Sequence, residues 1–484
     1  MSKQHWQPTI GLEIHMQLKT DSKLFSAAAV GYGGRANTRT SLIDAALPGV
    51  LPVVNETAIG MAIAFGLAVE GDIASSTVFA RKNYFYPDLP KGYQISQYEN
   101  PIVSGGRVPI ELEDGTQRHI LLERAHLEED AGKLIHDAHG DFSCVDLNRA
   151  GTALIEIVSK PMIRSAAEAV AYMKQIHAIG CYLGICDGNM QEGSLRCDAN
   201  VSIAAKGDDK LGVRTETKNL NSFRFIEKAI LYEIDRQIEV LESGGQVKQE
   251  TRLYDPHLDE TRVLRSKEEA EDYRYFPDPD LLPVRITAEW IERVHKYLPE
   301  LKHIKYRRFT EEYGLSQADA TQLTKTKEMA NYFEECVHLS SADAKLIANW
   351  IITQVTALLN RDKLAIEETA ITPEVLSNFI DKIANQTISA NNAKTVLEKM
   401  WTQKRTADEV IAGLGLEETY DSDQLNSIVD EVLNDNPEQV QQYLSGKQKV
   451  FAYFIGQAMK ASEGKADPQQ LTELFKSRLR KLLS

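Results

Sequence analysis

Cysteine is scarce and unpaired in this chain. The five residues among 484, Cys144, Cys181, Cys186, Cys197 and Cys336, are odd in number and show no Cys-x-x-Cys spacing, which argues against a secreted disulfide framework and against a zinc module. Reduced thiols, and hence a cytoplasmic protein, are the expectation. Long apolar runs are also missing. The stretches at 45–54 and 61–69 are about ten residues each and carry Gly or Pro, half the roughly 20 that a membrane-spanning helix needs. The start MSKQHWQPTIGLEIH has no positive segment leading into an apolar block and a small-residue cleavage site, so neither a secretory signal nor a membrane is expected. Basic charge is in deficit, 55 Lys and Arg against 70 Asp and Glu for a formal −15, which argues against general coating of nucleic acid or anionic lipid and leaves room for a local RNA site. There is no GxxxxGK(S/T) loop, the glycines of VGYGG at 30–34 lack the strand–helix setting of a dinucleotide fingerprint, and no Gly-x-Ser-x-Gly elbow or local cysteine-nucleophile signature occurs. P-loop, Rossmann and glutaminase chemistries therefore find no support.

What is present is an ordinary globular composition, 43% apolar and 26% charged, in a length that suggests about three domains at roughly 150 residues each. Through 1–283, short alternating apolar runs lie between Gly, Pro, Asn and Asp turn signals, which predicts an α+β domain of strands and hairpins with some helices. The period then changes. Trp290, Ile291, Val294, Tyr297 and Leu298, and later Leu346, Ile347, Trp350, Ile351 and Leu358, recur at helical spacing, with caps expected at Ser340 ahead of Asp343 and at Thr372 ahead of Pro373. Residues 284–405 therefore read as a helical domain. The remaining 406–484 read as a dipolar tail domain, with ten acidic residues and no Lys or Arg at 408–446, then eight basic against three acidic at 447–484. The basic run Lys476, Arg478, Arg480 and Lys481 is either a solvated helix face or a phosphate contact.

Several candidate strands of the first domain carry an unusual polar face. In TIGLEIHMQL, Ile10, Leu12, Ile14, Met16 and Leu18 alternate with Gly11, Glu13, His15 and Gln17; in 196–203, Arg196, Asp198, Asn200 and Ser202 share one side; in 213–218, Arg214, Glu216 and Lys218 do; and Glu156 stands alone in LIEIV. A solitary carboxylate in an apolar strand must be paired, protonated or bound to a cation. One reading of these faces is the solvent side of a one-sided antiparallel sheet with cross-strand pairs. The other is a site for magnesium and phosphate: carboxylates suit a hard cation shared with nucleotide phosphates, and Arg196, Arg214 and Lys218 would offset charge on transferring oxygens. His126, Glu128, Glu129 and Asp130 in AHLEEDAGK add to that second reading. RKNYFYPDLP at 81–90, with Arg81, Lys82, Tyr84, Phe85 and Tyr86, and DYRYFPDP at 272–279 are either packed aromatic turns or surfaces on which an adenine or a terminal nucleotide stacks. His136 and His139 near Asp137 read as a polar loop rather than a metal site.

Together, GLEIH at 11–15, LPGVLPVVN at 47–55, RKNYFYPDLPKGYQISQY at 81–98, EEDAGK at 128–133, VDLNRAG at 145–151, EGSLRCDANVS at 192–202, KNLNSF at 218–223, DYRYFPDPDLLP at 272–283 and GQAMKASEGKADP at 456–468 closely resemble the B subunit of the tRNA-dependent amidotransferases. The resemblance runs in order over nearly the whole chain. It implies a cradle domain with a glutamine-synthetase-like antiparallel sheet, then a helical domain and a small helical tail that grip tRNA. It also implies an activity: Mg-ATP-dependent phosphorylation of the side-chain carboxylate of Glu-tRNA(Gln) or Asp-tRNA(Asn), then amide formation with ammonia channelled from a glutamine-hydrolysing A subunit, a small C subunit holding A and B together. Carried over residue by residue, it makes Glu13, His15, Glu128, Glu156 and Asp198 magnesium ligands or their neighbours, with Glu128 also near the channel mouth. Glu128, Arg196, Arg214, Glu216 and Lys218 become the catalytic group, and Arg81, Lys82, Tyr84 and Lys218 the nucleotide-binding group. Many members carry a four-cysteine zinc knuckle ahead of LPGVLP. The corresponding positions here are Ser26, Ala28, Ser41 and Asp44, so no structural zinc is expected. Two other classes share parts of the pattern: a free-standing ATP-dependent ligase for a small carboxylate, and a non-catalytic tRNA-binding scaffold.

Overall fold

Strict alternation places Ile10, Leu12, Ile14 and Met16 on one side of the strand Trp6–Gln17, all without solvent exposure, and Glu13 and His15 on the other. That strand lies near the middle of a 13-stranded sheet in a computed structural model that describes residues 5–136, 142–208, 210–266, 272–414, 422–462, 466 and 468–483. Across the sheet the order is Glu260–Ser266, Glu250–Asp255, Thr215–Leu220, Leu195–Ala205, Trp6–Gln17, Ala153–Ser159, Gln117–Glu129, Tyr93–Gln97, Phe79–Asn83 and Phe276–Pro277. The pairings along that path are antiparallel except between Thr215–Leu220 and Glu250–Asp255. The α+β expectation and its antiparallel sheet are thus present.

Helices cover the apolar face because each has a start signal and one apolar side. In Ala166–Leu183, the Ser165 hydroxyl accepts from the Glu168 amide at the first turn and Gly184, at φ 72°, turns the chain out of the helix at its end. Between these stops Tyr172, Met173, Ile176 and Ile179 are buried, each large side chain contributing roughly 1.5–3 kcal/mol relative to exposure. Phe223–Glu242, capped by Ser222, brings Ile226, Ala229 and Ile230 to the same core. It also carries a buried acid. Glu233 accepts from Thr215 Oγ1 at 2.6 Å, Gln237 Nε2 at 3.0 Å and Arg236 Nε at 3.0 Å, and lies 3.5 Å from Arg252 Nε.

A second buried charge pair pins the loop that follows the first strand. Lys23 Nζ, without exposure, donates to Asp44 Oδ2 at 2.8 Å and to Leu147 O at 3.2 Å, while Ser26 Oγ and the Ser41 amide donate to the same carboxylate at 3.1 and 2.8 Å.

Two compact units divide the chain, Met1–Lys302 and His303–Ser484. The division falls later than the expected limit at Pro283 because the amphipathic helix Ala288–Lys296 packs Trp290, Ile291 and Val294 on the sheet unit's core. The second unit is helical, with one core around Phe309, Phe333, Ile347, Phe379 and Leu397 and another around Leu425, Val429, Phe454, Leu471 and Phe475. Helix Ala407–Leu414, counted with the tail from sequence, buries Ala407, Val410 and Ile411 in the first of these two cores. Thr372 caps Pro373–Ala384 with Pro in its first turn, as expected. Ser340, in contrast, ends Lys327–Leu339, and it is Asp343 that caps the next helix through the Lys345 amide. In the tail, Arg478 is committed to Asp430 at 2.8 and 2.9 Å. No helix among the described residues is long and apolar enough to cross a membrane.

Replacing Glu233 by Gln leaves Arg236 without its close charge partner and takes one of two carboxylates from Arg252, which keeps Glu250 at 2.7 Å. We expect a loss of about 3 kcal/mol, near the lower end for a broken buried pair because Arg236 keeps some solvent, read by hydrogen exchange of the Phe223–Glu242 amides. Burial alone would raise the Glu233 carboxyl, but its hydrogen bonds from Arg236, Thr215 and Gln237 outweigh that and hold it below its ordinary value of 4.5. The wild-type advantage is therefore complete above that value and declines as the pH falls below it; a difference independent of pH would refute the assignment.

Candidate functional site

Strand register builds the site. His15 lies opposite Glu156 on one neighbouring strand and opposite Arg196 on the other, and Glu156 in turn lies opposite His126. Four polar residues from four strands thus form one line across the sheet. Two residues along, Glu13 faces Asp198, and Asn200 faces Glu216. Glu128, on the same side of its strand as His126, closes the group: His15 Nε2 is 3.5 Å from Glu128 and 3.4 Å from Glu156, and His126 Nε2 is 3.5 Å from Glu156. One ligating atom from each of His15, Glu128 and Glu156 lies within 4.8 Å of the other two.

The rest of the polar face is held by bases and amides. Lys218 Nζ donates to Asp198 at 2.8 Å and lies 2.9 Å from Glu216, Asn200 Nδ2 donates to Glu13 at 3.0 Å, and Arg196 donates to Asp130 at 3.1 Å. Asp130 also accepts from Gln17 Nε2 at 3.1 Å. Lys82 reaches the acidic group from the edge of the sheet. Its ammonium sits 4.8 Å over the Tyr273 ring, with Glu128 its strongest charge neighbour.

These positions distort ordinary acid–base behaviour. Burial disfavours the charge on Glu13, and repulsion from Glu156, Glu216 and Asp198 adds to it, so the Glu13 carboxyl is raised. Burial and the Glu156 charge likewise raise Glu128, whereas the charges of His126 and His15 and the His15 hydrogen bond overcome burial at Glu156 and lower it. At His15 burial opposes the proton, but the Glu156 hydrogen bond and the surrounding carboxylates win and lift it to about 9. His126, buried more deeply and beside Arg124 and Lys82, is pushed down to about 4. Its Nδ1 has no hydrogen-bond partner among the described residues. Two adjoining buried carboxylates, further acids beside them and an imidazole facing both make a donor set that fits a hard divalent cation, with room for phosphate oxygens alongside.

On one flank of the acids lies a cavity of about 520 Å³, lined by Gly11, Glu13, Asn200, Gly212, Arg214 and Gln249 among others. Arg214 sits just before the strand Thr215–Leu220 and is exposed to this cavity. Gly212 lets the loop close on the sheet, since a β-carbon there would stand 2.0 Å from Ile203 O. The structure thus brings together Glu13, His15, Glu128, Glu156, Arg196, Asp198, Glu216 and Lys218, with Lys82 and Tyr84 at one end and Arg214 at the other. Arg81 is not among them. One step along the strand from Lys82, it turns to Asp278 at 2.9 Å and Asp280 at 3.0 Å and covers the Tyr93 ring. Glu129 likewise points away, to Lys91 and the Ile95 amide. His136 bonds Ser143 in a separate hairpin, and Asp137 and His139 lie outside the described residues. Sequence reasoning undervalues His126, Asp130 and Asn200; their period-2 placement beside Glu128 and Asp198 is the available signal, but only register shows what they touch.

Residues 8–292 match the GatB/GatE catalytic domain family, and residues 331–479 the GatB domain family. Curated relatives, each named as the B subunit of an aspartyl/glutamyl-tRNA(Asn/Gln) amidotransferase, include those of Nitrosococcus oceani, 57% identical over 98% of this chain and 99% of its own, and Halorhodospira halophila, 55% identical over the same shares. The protein of that name from Coxiella burnetii is 54% identical over 98% of this chain and its full length. With identity of this degree along nearly its whole length, and with the acidic sheet face assembled from the blocks that carry the likeness, this chain belongs to the family of tRNA-dependent amidotransferase B subunits.

Proposed function

We propose that this chain is the kinase and transamidase component of an aspartyl/glutamyl-tRNA(Asn/Gln) amidotransferase. It activates the side-chain carboxylate of Glu-tRNA(Gln) or Asp-tRNA(Asn) with ATP and exchanges the phosphate for ammonia. The observation that carries this reading is the juxtaposition of His15, Glu128 and Glu156 with the bases Lys82, Arg196 and Lys218 on one half-buried sheet face. A carboxylate is a poor acyl donor at neutral pH. In the reaction one of its oxygens bonds the terminal phosphorus of ATP as the bond to ADP breaks; the ammonia nitrogen then attacks the acyl carbon, and inorganic phosphate leaves with the C–O electron pair. Little covalent work falls to the protein, so positioning and charge do most of the catalysis.

The chain's own parts divide that work. The cavity beside Glu13 and Arg214 takes the nucleotide, Lys218 and Arg196 hold Asp198, Glu216 and Asp130 in place and face the phosphate oxygens, and Lys82 offsets charge from the opposite side. Magnesium, held by His15, Glu128 and Glu156 with Glu13 and Asp198 adjoining, would neutralise those same oxygens. No structural zinc belongs to this reading, because Ser26, Ala28, Ser41 and Asp44 supply no thiolate and Asp44 already holds an ammonium. Ammonia comes from a glutamine-hydrolysing A subunit and a small C subunit completes a cytoplasmic heterotrimer, while residues 303–484 provide the tRNA grip.

With A and C subunits, mischarged tRNA, glutamine, magnesium and ATP, the wild-type chain is expected to form the amidated aminoacyl-tRNA with matching phosphate release. Asp198→Asn or Glu128→Ala lowers that rate at least about 100-fold, the scale for losing a preorganised charge in a transition state, with tRNA affinity retained. Loss of tRNA binding as well would mean a folding role instead. Gly212→Ala should raise the KM for ATP about tenfold, ~1.4 kcal/mol, without moving that for tRNA; an unchanged ATP KM would remove the nucleotide from the cavity. Deleting residues 422–484 should weaken tRNA binding and flatten its salt dependence by about 0.9 in log–log slope for each phosphate no longer neutralised. An unaltered slope would assign the grip to another part of the chain.

A further inference from the structure

At the edge of the sheet opposite the cavity, four tyrosines form a continuous wall beside the acidic group. Tyr84 and Tyr273 meet edge to face at 6.0 Å, Tyr273 and Tyr275 at 6.0 Å, and Tyr275 stacks flat on Tyr98 at 4.1 Å and 6°. The segment bearing Tyr273 and Tyr275 is fastened there by backbone: Asn83 Nδ2 donates to Tyr273 O at 3.0 Å and to Arg274 O at 2.9 Å, and Phe276 pairs with Arg81 across the strand edge. The wall is therefore positioned by bonds that do not use its rings.

Its polar atoms have nothing to bind within the protein. Among the described residues the four tyrosine hydroxyls make no hydrogen bond, and Lys82, partly buried between the wall and Glu128, makes neither a hydrogen bond nor an ion pair; its contact is the Tyr273 face. Tyr98 is 50% exposed, so the side of its ring away from Tyr275 is open, and at the other end of the wall Phe85 and Tyr86, which follow Tyr84 in the chain, are 90% and 56% exposed. An open aromatic face on the same wall as a cation that forms no ion pair is what a stacked base and its phosphate require.

We infer that this wall is an adenosine subsite for the 3′-terminal nucleotide of the aminoacyl-tRNA: the base stacks on the open face of Tyr98, which Tyr275 backs from the other side, and Lys82 meets the phosphate side. The inference rests on the phosphoryl-transfer reading above and goes further, by separating the two adenosines that reaction needs. The acceptor carboxylate must approach phosphorus from the side opposite the departing ADP. With the nucleotide in the cavity by Glu13 and Arg214, that approach comes from the tyrosine end, where Tyr98 is half exposed.

The test uses the chain assembled with its A and C subunits and three probes: Glu-tRNA(Gln), the hydrolysis-resistant 3′-glutamylamino-3′-deoxyadenosine, and ATP. Tyr98→Ala should weaken the small analogue and raise the KM for Glu-tRNA(Gln) by about five- to 100-fold, the span for one base stacked on an aromatic ring. The KM for ATP should stay at its wild-type value, and Tyr98→Phe should restore both RNA-side readings to within about twofold, since stacking needs the ring and not the hydroxyl. Tyr275→Leu, which leaves the Asn83 bonds intact, should act in the same direction. A rise in the ATP KM with the analogue unaffected would overturn the inference and give the wall to the adenine of ATP. No change in any probe, with hydrogen exchange of the 272–277 segment altered, would overturn it in favour of a packing role. If wild-type complex transfers no phosphoryl group to Glu-tRNA(Gln) or Asp-tRNA(Asn), the functional reading itself fails, an outcome visible before any tyrosine variant is made.

Discussion

Like charges crowded on one half-buried surface are the constraint around which this sheet unit is built. Glu13, Glu128, Glu156, Asp198 and Glu216 share one face, and each raises the electrostatic cost of its neighbours. In the protein alone that cost is offset by Lys218 between Asp198 and Glu216, and by a proton on His15, whose raised affinity keeps it charged at neutral pH. The buried apolar face behind the acids, covered by capped helices, keeps them from relaxing apart.

The arrangement also accounts for why the chemistry sits on strands. Neighbouring strands lie about 4.8 Å apart, so opposed side chains in register meet at distances that suit shared protons or a shared cation. His126, Glu156, His15 and Arg196 occupy one such line. A one-residue slip of any strand would turn its polar residues into the core, and the apolar residues between them, Ile14, Ile155 and Cys197, prevent it by their near-complete burial.

Much of this is legible in the sequence. TIGLEIHMQL states its two faces outright, and so does RCDANVSI, because period-2 alternation is a local property. Which acids meet is not local: Glu156 and His126 are 30 positions apart in sequence, Glu13 and Asp198 far more, and only pairing register joins them. Arg81, expected among the nucleotide contacts, is paired elsewhere for a different reason. A basic residue beside Lys82 looks equivalent in sequence, yet adjacent strand residues face opposite ways, and Asp278 lies on Arg81's side. The limits of the helical region are similarly blurred. Amphipathic spacing in 288–296 shows that the helix has a face to bury, and nothing in that spacing says which core will receive it. Asp343, three residues after Ser340, supplants it as cap for the same lack of context, since Ser340 already closes the helix before.

The Lys23–Asp44 pair has a consequence for the cell as well as for the fold. Thiolates can join a loop of this kind only by recruiting a metal or by being oxidised to a disulfide, so their hold varies with metal supply and redox state. An ammonium and a carboxylate sealed from solvent, with Ser26, the Ser41 amide and Leu147 completing their hydrogen bonds, draw on neither. In the cell this hold on the loop needs neither a metal nor an oxidant, and it is set once, when the chain folds.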